Sequence, residues 1–199
     1  MTTMIDNKVM AEVEETLRRT PGKTVVEAPY VTPEEEKSGI LDYVMAALRI
    51  GMGWTFLWAF LDKTFGLGFA TEAGKGWVDG GSPTYGFLTF GTKGPFAEFF
   101  AGMAGSVTVE WMFMLGLLGI GLPLMLGIGV RIAAATGIAM LGLMYVASAI
   151  FPENNPFLDA HIINALILLG IAIGLPGYRL GLGRYFGKSR LARRYPLLK

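Results

Sequence analysis

The side chains in this sequence whose type and spacing suit chemistry stand at the edges of long apolar runs. Asp62 and Lys63 are neighbours where one run ends, and Glu110 stands immediately before Trp111 and the next run. Opposite charges at similar depth form one of two things. They make a salt-bridged anchor, the ordinary fate of charges that end membrane spans, or a small polar site that holds a quinone head group or relays a proton. His161, the sole histidine, and Asn164 are three apart, so they share a helix face and can complete the same cluster. One imidazole is not a metal site, so no metal is expected, and a histidine so placed reads first as a hydrogen-bonded structural residue. Trp58, with Trp54 and Trp111, supplies flat apolar walls to a site or else an aromatic belt at the interface.

Arg49 stands within an apolar run rather than at its edge, roughly 13 Å along a helix counted from Ile40. An arginine at that depth costs about 2.5–3.5 kcal/mol on insertion scales. It must therefore face other helices and find acceptors, line a polar cavity, bind an anionic group, or snorkel to the cytoplasmic head groups. Gly51 and Gly53 are placed to bring another helix close to it.

The elements that position these residues are membrane helices. Apolar residues make up 52% of the chain, only 17% is charged, and the mean hydropathy is +0.47, which is too apolar for a water-soluble globule. Residues 111–130 and 132–152 carry no charge, and a span needs about 20 apolar residues to cross about 30 Å of hydrocarbon. The reading is an all-α integral membrane fold, a bundle of four transmembrane helices over about 40–61, 111–129, 132–151 and 160–176 within a membrane domain 40–177. Arg131 marks the turn between the second and third spans. The fourth carries Gly170 and Gly174 in a GxxxG pattern suited to close helix packing.

Residues 62–110 are rich in Gly, Pro and Thr and form a long extracytoplasmic loop, with a short aromatic helix at 95–102. Residues 152–159 make a compact turn in which Asp159 or Asn155 caps the fourth helix. The first 39 residues are an acidic arm, eight acids against five bases, with Met10, Val13 and Leu17 at helical spacing and a capping box at Thr32 and Glu35. Residues 178–199 are a basic tail of seven Lys/Arg and no acid, whereas the 62–110 loop has three bases and the 152–159 loop none. By the positive-inside rule both termini are cytoplasmic, and the protein is a multi-pass component of the cell inner membrane. The charge asymmetry reports topology and not a nucleic-acid partner. No basic region followed by an apolar stretch begins the chain, so insertion relies on the first span.

Cysteine is absent, which removes disulfides, iron–sulfur ligation, c-type haem attachment and thiolate zinc sites from this chain. No dinucleotide fingerprint, Walker loop, Ser/His/Asp set or HExxH motif is present. Any cofactor is therefore borrowed or loosely bound.

The order of features resembles the DoxX/DoxD family. It runs from Leu48, Arg49, Gly51 and Gly53 through Leu61, Asp62 and Lys63 to Glu110, which opens a Gly-rich span ending at Gly127, Gly129 and Arg131. It continues with Asn154, Asn155, Pro156 and His161 and closes with Pro176, Gly177, Tyr178, Arg179, Gly181 and Gly183, so that the resemblance covers about residues 41–187. It implies a four-helix membrane bundle, in some members the large subunit of a thiosulfate:quinone oxidoreductase and in others a membrane partner of redox enzymes. The family's polar pattern falls on Arg49, Lys63, Glu110 and Arg131. Two functions follow as expectations: a membrane subunit of a quinone-linked oxidoreductase, or a non-catalytic accessory subunit of a respiratory or redox complex. A small transporter ranks below both, since intramembrane ionisable groups are few and no broken-helix repeat is visible. The expected partners are membrane lipids and either other protein subunits or further copies of the chain.

Overall fold

The computed structural model describes residues 15, 40–148, 150, 152, 155, 157–174 and 180–189. The helical spacing of Met10, Val13 and Leu17, the capping box at Thr32, and most of the basic tail lie outside them. The chain divides into two units, Met1–Lys37 and Ser38–Lys199, and every element below belongs to the second. Among the described residues the structure is helical, without strands: α1 Ile40–Phe65, α2 Ala97–Ala101, α3 Val107–Leu126, α4 Val130–Ser148, α5 Ala160–Gly174 and α6 Gly183–Gly187. A 3₁₀ turn at Trp77–Asp79 and a π turn at Phe87–Gly91 lie between α1 and α2.

α1, α3 and α4 are long and apolar enough to cross a bilayer, which makes this a multi-pass membrane protein. At 1.5 Å per residue they reach about 39, 30 and 28 Å, whereas the 15-residue α5 reaches about 22 Å. Leu115, Leu122, Leu143, Leu166 and Ile173 are exposed on these helices, where lipid is the fitting solvent. α1 packs on α3 and α4 on α5, and α3 also meets α4 and α1 meets α5. Met52, Phe56, Met114, Ile120, Leu124, Ala134, Leu141, Leu168 and Ile171 form the core between them.

Helix limits differ from the expected spans because backbone hydrogen bonding continues past the apolar limit. α1 runs four residues beyond Leu61, placing Asp62 and Lys63 in its last turn, and α3 begins at Val107, placing Glu110 in its first. The turn between α3 and α4 is made by Gly127 and Gly129, with φ of 73° and 64°, so Arg131 is an exposed first-turn residue of α4 and not the turn itself.

Lipid offers no hydrophobic drive between apolar helices, so α1 and α3 must gain by close approach. A Cβ on Gly121 would lie 2.6 Å from the Leu57 amide nitrogen, and one on Gly53 would lie 2.8 Å from that of Met125. The two backbones therefore touch where these glycines face one another. Gly51, by contrast, has nothing within 4 Å of where a Cβ would stand. In the α5 GxxxG pair, a Cβ on Gly174 would lie 3.1 Å from the Met45 Cε, so this face meets α1 through a flexible side chain.

Substituting Gly121→Val is expected to lower stability in detergent by about 1–3 kcal/mol, the usual cost of overpacking. Gly51→Ala should leave the thermal midpoint unchanged or raise it slightly, since only helix propensity changes. Equal midpoints for the two variants in a dye-based melt would show that the α1–α3 crossing is not where the glycines place it.

Candidate functional site

The residues flagged in the sequence separate into three places, of which the start of α5, with His161 and Asn164, is one. Arg49 stands at one end of the long helices, and Asp62, Lys63, Glu110 and Trp58 gather at the other end of α1 and the adjoining start of α3.

Arg49 is fully buried. A helix leaves its last four carbonyls without intrahelical partners, and at the end of α3 each of these is accounted for. Pro123 accepts from the Gly127 and Ile128 amides at 2.8 and 3.1 Å, with Gly127 in the left-handed cap conformation. Leu124 and Met125 accept from Arg49 Nη1, the latter at 3.1 Å, and Leu126 accepts from the Leu182 amide at 2.8 Å. Arg49 Nη2 donates to the Leu180 carbonyl at 2.9 Å. The guanidinium thus caps α3 from the side, where the negative end of the helix dipole favours a cation, and ties α1, α3 and the 180–182 segment together. This contact puts Arg49 level with the α3–α4 turn.

At the other end, Asp62 is 2% exposed and accepts from the amides of Phe69 at 3.3 Å and Thr71 at 2.8 Å. Its carboxylate folds the chain after α1 back over the helix end. Gly66, at φ 61°, donates its amide to the Asp62 carbonyl as the helix stops, and Gly76 packs so closely that a Cβ would lie 2.7 Å from the Thr64 oxygen. Trp58 holds the same loop by an edge-on contact with Phe69, ring centroids 5.1 Å apart, and Trp54 lies 5.5 Å from Trp58. Trp77 meets Trp111 edge-on at 4.6 Å, fixing the loop to the start of α3.

The folded loop encloses an open groove of about 640 Å³. Lys63 lines it together with Thr71, Glu72, Lys75, Asp79, Ser82 and Tyr85. Lys75 pairs with Glu72 at 2.6 Å across exposed surface, which holds the Glu72 carboxyl below its usual range through the hydrogen bond and the charge of Lys75. Ser82 donates to Glu110 and accepts from the Tyr85 amide at 3.1 Å. Lys63 and Glu110 thus reach one groove, Lys63 directly and Glu110 through Ser82. Asp62 builds the loop and Trp58 props it.

His161 and Asn164 are half-buried near the start of α5. Asp159 is the N-cap of that helix, accepting from the amides of His161 and Ile162 at 3.0 and 3.1 Å. Its second oxygen accepts from His161 Nδ1 at 2.5 Å. The described contacts of His161 are made to Asp159, and none reaches the groove. Among the described residues no three His, Asp or Glu side chains converge as metal ligands. Asn155 makes an Asx turn to Phe157 and Leu158, both at 3.1 Å.

Ser82, Thr71, Lys75, Asp79 and Tyr85 were not foreseen as site residues. Ser82 was legible only as part of the Gly80, Gly81, Pro83 turn, and the Glu110 that it serves lies 28 positions away. Comparison with family models, curated proteins and solved structures finds no match to this chain.

Replacing Arg49 with Met is expected to destabilise the protein by about 2–4 kcal/mol, because three carbonyls lose a charged donor. Arg49→Lys should recover only part of this, since an ammonium cannot span the same fork of acceptors. Detergent melts of the three proteins check the order. Asp159 gives a pH effect. Burial raises its pKa, but the hydrogen bond and charge of His161 with the backbone donors outweigh this and leave it below the ordinary aspartate value. A lowered folded pKa stabilises above the unfolded value and is lost as pH falls through the folded one. Asp159→Asn keeps the cap, and its midpoint should fall less than wild type between about pH 5 and pH 3.

Proposed function

We propose that this chain is a membrane subunit of a quinone-linked oxidoreductase, similar to the DoxX/DoxD family, with the groove over the outer end of α1 as its head-group site. In this reading α1, α3, α4 and α5 form a four-helix transmembrane bundle in the cytoplasmic membrane with both termini inside. Residues 66–106 then face outward. The observation that carries the reading is the groove itself, lined by Lys63 from the last turn of α1 and by Ser82, which is hydrogen-bonded to Glu110.

The chemistry follows from those groups. Lys63 offers an ammonium to a head-group carbonyl or an anionic substrate. Ser82 supplies a hydroxyl that donates to Glu110, a route by which protons taken up during quinone reduction pass between carboxylate and groove. Electrons come from a partner subunit or a soluble donor, since cysteine ligation is excluded by sequence. Trp58 and Phe69 present apolar faces beside the loop for a lipid-like tail.

A second reading is favoured by a specific observation. Arg49, Asp62 and His161 each make side-chain hydrogen bonds to this chain's own backbone or side chains. That is what a non-catalytic accessory subunit of a respiratory or redox complex would require, its role being assembly with larger subunits.

The two separate on one preparation, the protein extracted in mild detergent with whatever subunits accompany it. Lys63→Gln should weaken binding of a short-chain quinone about 10-fold or more, the worth of one hydrogen bond from a charged donor. Absence of quinone binding and of electron transfer from thiosulfate or another donor, in wild type with its partners, would remove the first reading and leave the second.

A further inference from the structure

Residues 180–182 are tied back to the end of α3. Arg49 holds the Leu180 carbonyl at 2.9 Å, and the Leu182 amide donates to Leu126 at 2.8 Å. Leu180 adopts φ 47°, a left-handed conformation uncommon for a bulky residue, and the two tethers hold it there. Residues 180–182 are thereby fixed level with the end of α3.

The side chains do not turn inward at this point. Leu180, Leu182 and Tyr185 are 61%, 48% and 74% exposed, and Ile40, Leu41 and Tyr43, in the first turns of α1, are exposed as well. Lys188 follows on exposed surface, within a stretch, 178–199, that has seven Lys/Arg and no acid. Cations alone would satisfy the orientation rule for membrane insertion. Exposed leucines and a tyrosine tethered beside them are not required by that rule, and they supply the apolar half of an interfacial segment.

We propose that the segment beginning at Leu180 is a docking surface for anionic phospholipid head groups of the surrounding bilayer. Its apolar side chains enter the interface, and its lysines and arginines neutralise phosphates. Charge complementarity fixes the occupant, since a run of cations without a single acid prefers an anionic leaflet over a zwitterionic one. The proposal needs only that the end of α3 lies at a membrane surface, so it stands or falls separately from quinone binding.

The absence of cysteine makes the test direct, because one engineered cysteine is uniquely labelled. Full-length Lys188→Cys and, separately, Tyr185→Cys carry an environment-sensitive fluorophore. Each is reconstituted into phosphatidylcholine vesicles with or without about 30 mol% phosphatidylglycerol. Anionic vesicles should shift the emission to the blue and reduce access of an aqueous quencher several-fold, and about 0.5 M salt should reverse much of the effect. Replacing Arg190, Arg193, Arg194 and Lys199 with Gln should cut the preference for anionic vesicles about 10-fold or more. Equal emission and quenching in both vesicle types would overturn the proposal. So would an equal response to inorganic phosphate added to phosphatidylcholine vesicles, which would show that free phosphate suffices.

Discussion

The carbonyls at the end of α3 are the point on which the arrangement turns. In water they would be solvated, and a helix could end there at little cost. Next to hydrocarbon an orphaned carbonyl costs several kcal/mol, and the chain meets that demand with one side chain from α1. Arg49 serves Leu124, Met125 and Leu180 together. It can do so only because Gly53 and Gly121 let the two backbones touch close by. Close packing and polar satisfaction are here one constraint: a bulkier residue at either glycine would move the guanidinium away from its acceptors.

The opposite end of α1 is organised by a carboxylate instead of a guanidinium. Asp62 draws the Phe69 and Thr71 amides over the helix terminus, and the glycines at 66 and 76 permit the fold-back. The result is a polar groove in a segment that would otherwise be an unstructured link between spans. Lys63, next in sequence, is left facing that groove while its neighbour is consumed in building it. Adjacent residues on a helix point about 100° apart, which is why one of the pair is structural and the other is available for binding.

Much of this was legible in the sequence, for physical reasons. Long uncharged runs fixed the apolar helices, since composition and length decide that property without tertiary detail. Asp159 or Asn155 was foreseen as the cap of α5 because capping is local, and it is Asp159 that caps. Arg49 was recognised as needing a partner, but all four of its expected solutions stood open, because the carbonyls that bind it are 75 to 131 positions away. The outer charges were expected to meet His161 and Asn164; the described contacts instead divide them between the groove and the α5 cap. Helix-face arithmetic says which residues of one helix are neighbours and is silent on which helices meet. The groove walls were invisible for the same reason, depending on a loop whose course is set by Asp62 and by glycine backbone angles.

The central claim is that the helices cross lipid with the groove on one side and the Arg49 end on the other. Single cysteines at Lys75 and Lys188, in the otherwise cysteine-free chain, test it with a membrane-impermeant maleimide on intact cells whose outer barrier has been opened. The expected result is labelling at position 75 before lysis and at position 188 only after the membrane is permeabilised. Labelling of both positions before permeabilisation, or release of the protein into the aqueous fraction by a carbonate wash, would contradict the arrangement.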